Sequence, residues 1–579
     1  MAAIRWLEDD IYDPKFDVWT RANVGEVLPE PPSPLGWDLL FARANRLGWR
    51  DTMTNRMGIE EHEISGDKPE IMGLFGGYAY LGLTLIRVWA ERTPGFSADA
   101  IDLAYFGGAD VPEYKVQDWH ENAHTTEVMT GWLSWVMGDK DQSEVAASAA
   151  EARQIRADRP DLDTASDEDL LARARAFRAT CRRMFDEHIN ESGAASIAPG
   201  ALGQICAALG RPEAAMRLIA GLGGVDSAAP SFAMWDLSRT VRSVPSLVDA
   251  FDAGPRGLDS RLRAATDPAA QRFVAQLDEF LAEFGSRGPN EWDIYSHTWE
   301  TNPDILLAAI DRMRVADDAS SPADENARRE AEREALSAEL APMLEADPEA
   351  AATFQAALAS AAVFLPGRER TKTNIIRVIG EVRMALWELG RRLTERGDLD
   401  EPRDICMLFD DELDAAVAGE MDQLRATVAG RLEHHAFLQS RQEPYIVDDA
   451  PPPVAEWPER TDAHIERLGA GGTLQGVGGC PGTYRGRARV VLDAADPVDL
   501  EPGDVLVAPM TDPAWTPLFV PAGGVVVDVG APLSHAIIVS RELGIPCVVS
   551  ATHATKRIVD GATVEVNGDT GVVTVIEVP

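Results

Sequence analysis

Three consecutive prolines, Pro451, Pro452 and Pro453, divide the 579-residue sequence into parts that obey different periodicities. Proline has no amide hydrogen and a fixed φ, so neither a helix nor a central strand continues through such a run, and the chain around it is extended and semi-rigid. Upstream, residues 146–350 are rich in alanine, arginine and glutamate, with helical spacing of apolar side chains in 167–189, 269–284 and 324–344. Downstream, short β-branched runs recur at 487–492, 504–510, 525–529, 546–549, 562–566 and 571–578. The patterning predicts a multidomain chain: a large, mostly α-helical domain over 1–445, a proline-rich linker over 446–465 and a small α/β domain over 466–579.

A formal charge of −41 makes nucleic acid and anionic membrane surfaces poor partners while leaving room for a local basic pocket. Cys181, Cys206, Cys406, Cys480 and Cys547 are scattered, odd in number and without a C-x-x-C spacing, as expected of free thiols in a reducing compartment. The N-terminus lacks a basic region followed by an apolar one, so a cytoplasmic location is expected. The most apolar early stretch, 71–86, is glycine-rich and shorter than a bilayer span of about 20 residues, and reads as buried core.

Within the downstream part, the apolar run 523–529 breaks at Gly530 and Pro532. A helix follows, with Ser534 placed to cap it, Ala536, Ile538, Val539 and Leu543 as its apolar positions, and Gly544 and Pro546 as its stop. His535 therefore falls in the first turn, where unpaired backbone N–H groups and the helix dipole favour an attached anion. A neutral imidazole near pH 7 is a competent nucleophile for a covalent phosphoryl intermediate. A lone histidine in that position can equally cap or pack.

The surrounding residues favour the chemical reading. Thr-Asp-Pro at 511–513, the strand, Ser534-His535 and Arg-Glu-Leu-Gly-Ile-Pro at 541–546 together resemble the phosphohistidine domain of the PEP-utilising enzymes, a family that includes pyruvate phosphate dikinase, rifampin phosphotransferase and phenylphosphate synthase. The resemblance implies a swivelling domain with His535 as the phosphorylated residue, and Thr511, Asp512 and Ser534 as its substrate-binding neighbours.

Two segments of the helical part extend the likeness. Residues 284–299 interrupt the helical pattern with glycine and proline and gather Arg287, Glu291 and Asp293. They resemble a segment of the rifampin phosphotransferase acceptor domain, which implies that Arg287 binds substrate and that Glu291 or Asp293 is the general base for an acceptor hydroxyl. An ion-paired loop bracing two helices is the plain alternative. Arg368 and Lys372 follow Pro366 and Gly367 at what reads as a helix start, four apart and hence on one face, and two such cations suit a transferring phosphoryl group. The residues after them also resemble the family, which implies that both meet phosphorylated His535.

Other features compete. Trp6, Trp19, Trp37, Trp49, Trp89, Trp119, Trp132 and Trp135 fit either an aromatic acceptor pocket or a core. His120, Glu121 and His124 spell the H-E-x-x-H of zinc metallopeptidases, with Glu144 a conceivable further ligand, but a third histidine at metzincin spacing does not follow. His434 and His435 read as solvated.

No G-x-x-x-x-G-K-[ST] loop occurs, and the glycine-rich stretch 469–479 lacks the lysine of one. An ATP-grasp domain is not recognised either. The expectation is the acceptor-plus-carrier subunit of a split dikinase, with ATP and Mg2+ bound by a partner ATP-grasp subunit and no cofactor or metal held tightly here. His535 then passes the β-phosphoryl of ATP to a hydroxyl on a small hydrophobic phenol or alcohol. A non-catalytic phosphohistidine regulator and, more remotely, a zinc metallopeptidase are the alternatives.

Overall fold

A computed structural model describes residues 5–7, 13–64, 68–106, 111–318, 321–460, 465–492, 494, 500–512, 515–530 and 534–579. A large helical region is joined to a C-terminal α/β region, the expected fold class. The chain forms two compact units. One comprises Met1–Gly193, Asn290–Ser296 and Thr371–His464, the other Ala194–Pro289, His297–Arg370 and Ile465–Pro579. Helical residues 194–289 and 297–370 are thus grouped with the α/β region rather than with the remaining helices.

In the first unit, strands β1 (Val18–Thr20), β2 (Met72–Phe75), β3 (Tyr78–Gly82) and β4 (Ile446–Asp448) form an antiparallel sheet in the order β2-β3-β1-β4. The apolar stretch 71–86 is buried, as its composition predicts, but as a hairpin leading into the helix Leu83–Glu91. The hairpin turns on Gly76 and Gly77, at φ 57° and 81°, where a Cβ on Gly76 would meet the Trp457 ring at 2.3 Å. The segment read as a linker is therefore partly packed structure: β4 pairs with β1, and Trp457 is buried with its Nε1 donating to Pro452 O. Trp19, Trp37, Trp89 and Trp132 are core residues, in ring contact with Phe75, Phe41 and, for the last two, each other.

In the second unit, strands β5 (Thr473–Gln475), β6 (Val477–Cys480), β7 (Thr483–Val490), β8 (Val505–Ala508), β9 (Gly524–Val527), β10 (Cys547–Val549), β11 (Thr563–Asn567) and β12 (Val572–Glu577) form one sheet. Its order is β5-β12-β11-β7-β8-β9-β10-β6, with β7 to β10 parallel and the flanking strands antiparallel. Parallel strands are buried on both faces, hence the unbroken Val-Val-Val of β9. One hydrophobic core runs from this sheet into the helices Ala229–Ser243, Pro268–Phe284 and Pro303–Arg314, joining Val525, Ile537 and Phe519 to Met234, Phe280 and Leu307.

The long helix Pro348–Glu395 departs from expectation. Pro366 lies inside it, so Arg368 and Lys372 sit in mid-helix rather than at a start. One proline removes a single intrahelical bond, and the apolar face continues through fully buried Ile375, Ile376, Val378, Ile379 and Val382. By length and composition this helix could cross a membrane, and 44% of its most apolar window is buried within the protein.

Candidate active site

His535 is the first residue of the helix His535–Leu543, which ends at Gly544 in the left-handed conformation, φ 66°. The strand β9 precedes it, so the imidazole lies beyond the C-terminal edge of the parallel sheet, where such sheets place their chemistry. Both ring nitrogens are held by hydroxyls: Nδ1 lies 3.1 Å from Thr511 Oγ1 and Nε2 lies 3.0 Å from Thr516 Oγ1. The Phe519 ring meets the imidazole edge-on at 5.8 Å, and the residue is 7% exposed. Thr511 was expected at the site; Thr516 was missed, although it stands in the same short segment.

Ser534 has the extended backbone of a cap residue but makes no side-chain capping bond. Its buried Oγ has no hydrogen-bond partner among the described residues. Asp512 contributes its backbone, O accepting from Trp515 N at 2.9 Å. Pro513 and Pro532, both used in the sequence argument, lie outside the described residues. At the far end of the helix, Arg541 and Glu542 are buried, and desolvation lowers the first and raises the second from their ordinary pKa values.

Arg287 and Arg368 belong to the same unit as His535. Arg287 is 1% exposed and its carbonyl accepts from Trp299 N at 2.9 Å, closing the loop that Gly288 turns. Arg368 is ion-paired with its neighbour Glu369.

Glu291, Asp293 and Lys372 belong to the other unit. Lys372 Nζ lies 3.8 Å from Glu291 Oε1, so the expected base and one expected cation are brought together. Asp293 has a different occupation. Its Oδ2 accepts from Ser33 N at 2.8 Å, and its Oδ1 accepts from Ser33 Oγ at 2.5 Å and Tyr295 N at 3.2 Å. Asp293 thus staples the loop to the proline-rich segment around Ser33 through hydrogen bonds. Arg383, which the sequence reading passed over, donates from Nη2 to the carbonyls of Glu291 at 2.7 Å and Asp293 at 3.0 Å.

The zinc motif is not assembled. His120 ends a short 3-10 turn, Asp118–His120, and the next helix starts only at Ala123, capped by Asn122, so His120 and His124 are not one turn apart on a single helix. His120 Nδ1 lies 2.9 Å from Tyr114 Oη and accepts from Gln117 N, and Glu144 is paired with Arg56. His435, expected in solvent, is buried, with Nε2 2.8 Å from Pro31 O.

Residues 187–369 match the rifampicin phosphotransferase fourth domain, and residues 500–571 match the PEP-utilising enzyme mobile domain, which takes in His535. Both matches are consistent with the PEP-utilising enzyme family. Similar proteins include an uncharacterised protein of Mycobacterium tuberculosis, 29% identical over 590 residues, covering 98% of this chain and 62% of the relative. The rifampicin phosphotransferase of Streptomyces sviceus is 29% identical over 375 residues, covering 64% of this chain and 42% of its own length. The prodigiosin synthesizing transferase of Serratia marcescens is 32% identical over 319 residues, with 53% and 34% covered. The chain spans 62% of the length of this mycobacterial relative.

Proposed function

We propose that the chain is a phosphotransferase in which His535 receives a phosphoryl group and passes it to a hydroxyl of a small organic acceptor. The observation that carries this reading is the placement of His535 on the first turn of its helix, at the C-terminal edge of a parallel sheet, with Thr511 and Thr516 holding its two ring nitrogens. There the backbone N–H groups of the first turn stabilise the negative charge of a phosphorylated imidazole. The likeness to rifampicin phosphotransferase supports the reaction class.

The donor is a partner ATP-grasp subunit that binds ATP and Mg2+. In that half-reaction the γ-phosphoryl goes to water as phosphate, the β-phosphoryl goes to a nitrogen of His535, and AMP leaves. At 7% exposure the imidazole is covered, so loading requires its surroundings to open, consistent with a carrier that moves between two stations. In the second half-reaction the N–P bond breaks as the acceptor oxygen attacks phosphorus. Glu291 takes the hydroxyl proton, Arg287, Arg368 and Lys372 offset the charge on the transferring group, and the acceptor is a hydrophobic alcohol or phenol.

The test uses ATP labelled at the β-phosphate and a partner ATP-grasp protein. Wild type acquires acid-labile, base-stable label, and His535→Ala does not; equal labelling of the two sinks the proposal. Arg368→Ala and Lys372→Ala load normally but deliver to alcohols and phenols about 10²-fold more slowly. Loading without delivery to any acceptor would instead indicate a phosphohistidine regulator.

A further inference from the structure

We propose that His188 is a positioning residue that sets the Lys372–Glu291 pair, an inference that rests on the reading of that pair as part of the transfer machinery. His188 lies on the helix Arg178–Ala208 and is 9% exposed. Its Nδ1 is 3.0 Å from Thr371 Oγ1, and Thr371 is the residue before Lys372. Its ring lies 6.1 Å from that of Trp292, the residue after Glu291, with Phe185 behind it at 6.0 Å. One imidazole therefore touches the chain neighbour of each member of the pair.

The pair depends on such an arrangement. At 3.8 Å, Lys372 Nζ and Glu291 Oε1 are beyond hydrogen-bonding distance, so no directional bond between them fixes the lysine. Their separation is set by the segments that carry them. The acidic loop is tied to the long helix through its backbone, by Arg383 to the Glu291 and Asp293 carbonyls and by Trp387 Nε1 to Ile294 O at 2.9 Å. Those bonds tie the loop to the helix at Arg383 and Trp387, several turns along the same helix from Lys372. Thr371 is 1% exposed, and the contact of its hydroxyl with His188 Nδ1 is made one residue from Lys372, closer to the lysine than the bonds at Arg383 and Trp387. The planar ring meanwhile packs against Trp292, so a single rigid group registers helix and loop.

The experiment measures acetylation of Lys372 by acetic anhydride in the full chain, read by peptide mass spectrometry against exposed Lys115, with thermal melting in parallel. His188→Phe keeps a ring against Trp292 and loses the bond to Thr371; its Lys372 is expected to acetylate about fivefold faster than wild type, the scale of one lost hydrogen bond. Thr371→Val, which removes the hydroxyl isosterically, is expected to reproduce that rate, and His188→Asn, which restores a side-chain donor and acceptor, to bring it back toward wild type. Wild-type Lys372 rates in both His188→Phe and Thr371→Val overturn the proposal, and if His188→Phe does not fold, Thr371→Val decides. Delivery of label from phosphorylated His535 to alcohols is followed separately. No delivery by wild type, with Lys372 responding as expected, would remove the functional reading and leave the positioning role in place.

Discussion

The hydroxyl of Thr516 lies 3.0 Å from Nε2 of His535, so the ring nitrogen on that side cannot attack phosphorus until the contact opens. Thr511 holds Nδ1 on the other side at 3.1 Å, and since each hydroxyl can donate or accept, the imidazole tautomer sets the direction of both bonds. If Thr511 accepts from Nδ1–H, the lone pair sits on Nε2 and Thr516 donates to it. The expected outcome is that Thr511→Val slows loading about tenfold by freeing the imidazole's tautomer and orientation, while Thr516→Val stays within about threefold of wild type. Nitrogen NMR of the histidine ring, together with phosphorus NMR of the loaded protein, should report a proton on Nδ1 and phosphorus on Nε2. Phosphorus on Nδ1 would reverse the assignment.

Glu291 and Asp293 are two residues apart and chemically alike, yet their surroundings separate their roles. Asp293 accepts three hydrogen bonds, two of them from Ser33, and both residues are buried. Replacing Asp293 with alanine leaves Ser33 N–H and Oγ without that partner in a buried place, a loss of roughly 1–3 kcal/mol. Asp293→Ala should therefore lower the melting temperature. Glu291→Gln keeps the shape and removes the base, and should leave the melting temperature close to wild type while slowing delivery by about 10²-fold or more. Denaturation curves and single-turnover delivery from labelled His535 separate the two; the same loss of delivery with no loss of stability in Asp293→Ala would contradict the division.

Much of the His535 neighbourhood was legible because its signals are local. The helix start at His535, the stop at Gly544 and the β-branched runs that became β7 to β12 are each written in a few adjacent residues, although Ser534 makes no side-chain capping bond. The strands β5 and β6 were not legible, because 469–479 is rich in glycine. Those glycines serve close approach: a Cβ on Gly478 would lie 2.3 Å from Gly568 O, and one on Gly479 would meet Ile537 at 2.4 Å. The pairing of Asp293 with Ser33 joins residues 260 apart in the chain, and His435 with Pro31 joins residues 404 apart. No periodicity reports such contacts. Pro366 misled for the opposite reason, since a local helix-breaking signal was overridden by the buried apolar face of a 48-residue helix.

Two buried carboxyls make stability depend on pH. Glu187 and Glu191 lie one turn apart on the helix Arg178–Ala208, each 2% exposed. Ser148 Oγ donates to Glu187 Oε1 at 2.7 Å and Gln142 Nε2 donates to Glu191 Oε1 at 3.2 Å, while Oε2 of each has no hydrogen-bond partner among the described residues. Burial is the largest cause acting on both, and it pushes each carboxyl up to about 7 from an ordinary 4.5. Between those values the folded state binds more protons than the unfolded chain, so the slope of stability against pH is negative there. The contribution is fully present below pH 4.5 and is lost as pH rises through about 7. Urea unfolding across that window should show wild type losing stability as pH rises, on top of slopes from other groups. In Glu187→Gln and Glu191→Gln, whose amides are neutral throughout, the loss should shrink, and most in the double variant. A double variant with the wild-type slope would mean that the two carboxyls do not titrate in this window, and the buried pair would then have to be charged at neutral pH with neighbours that offset it.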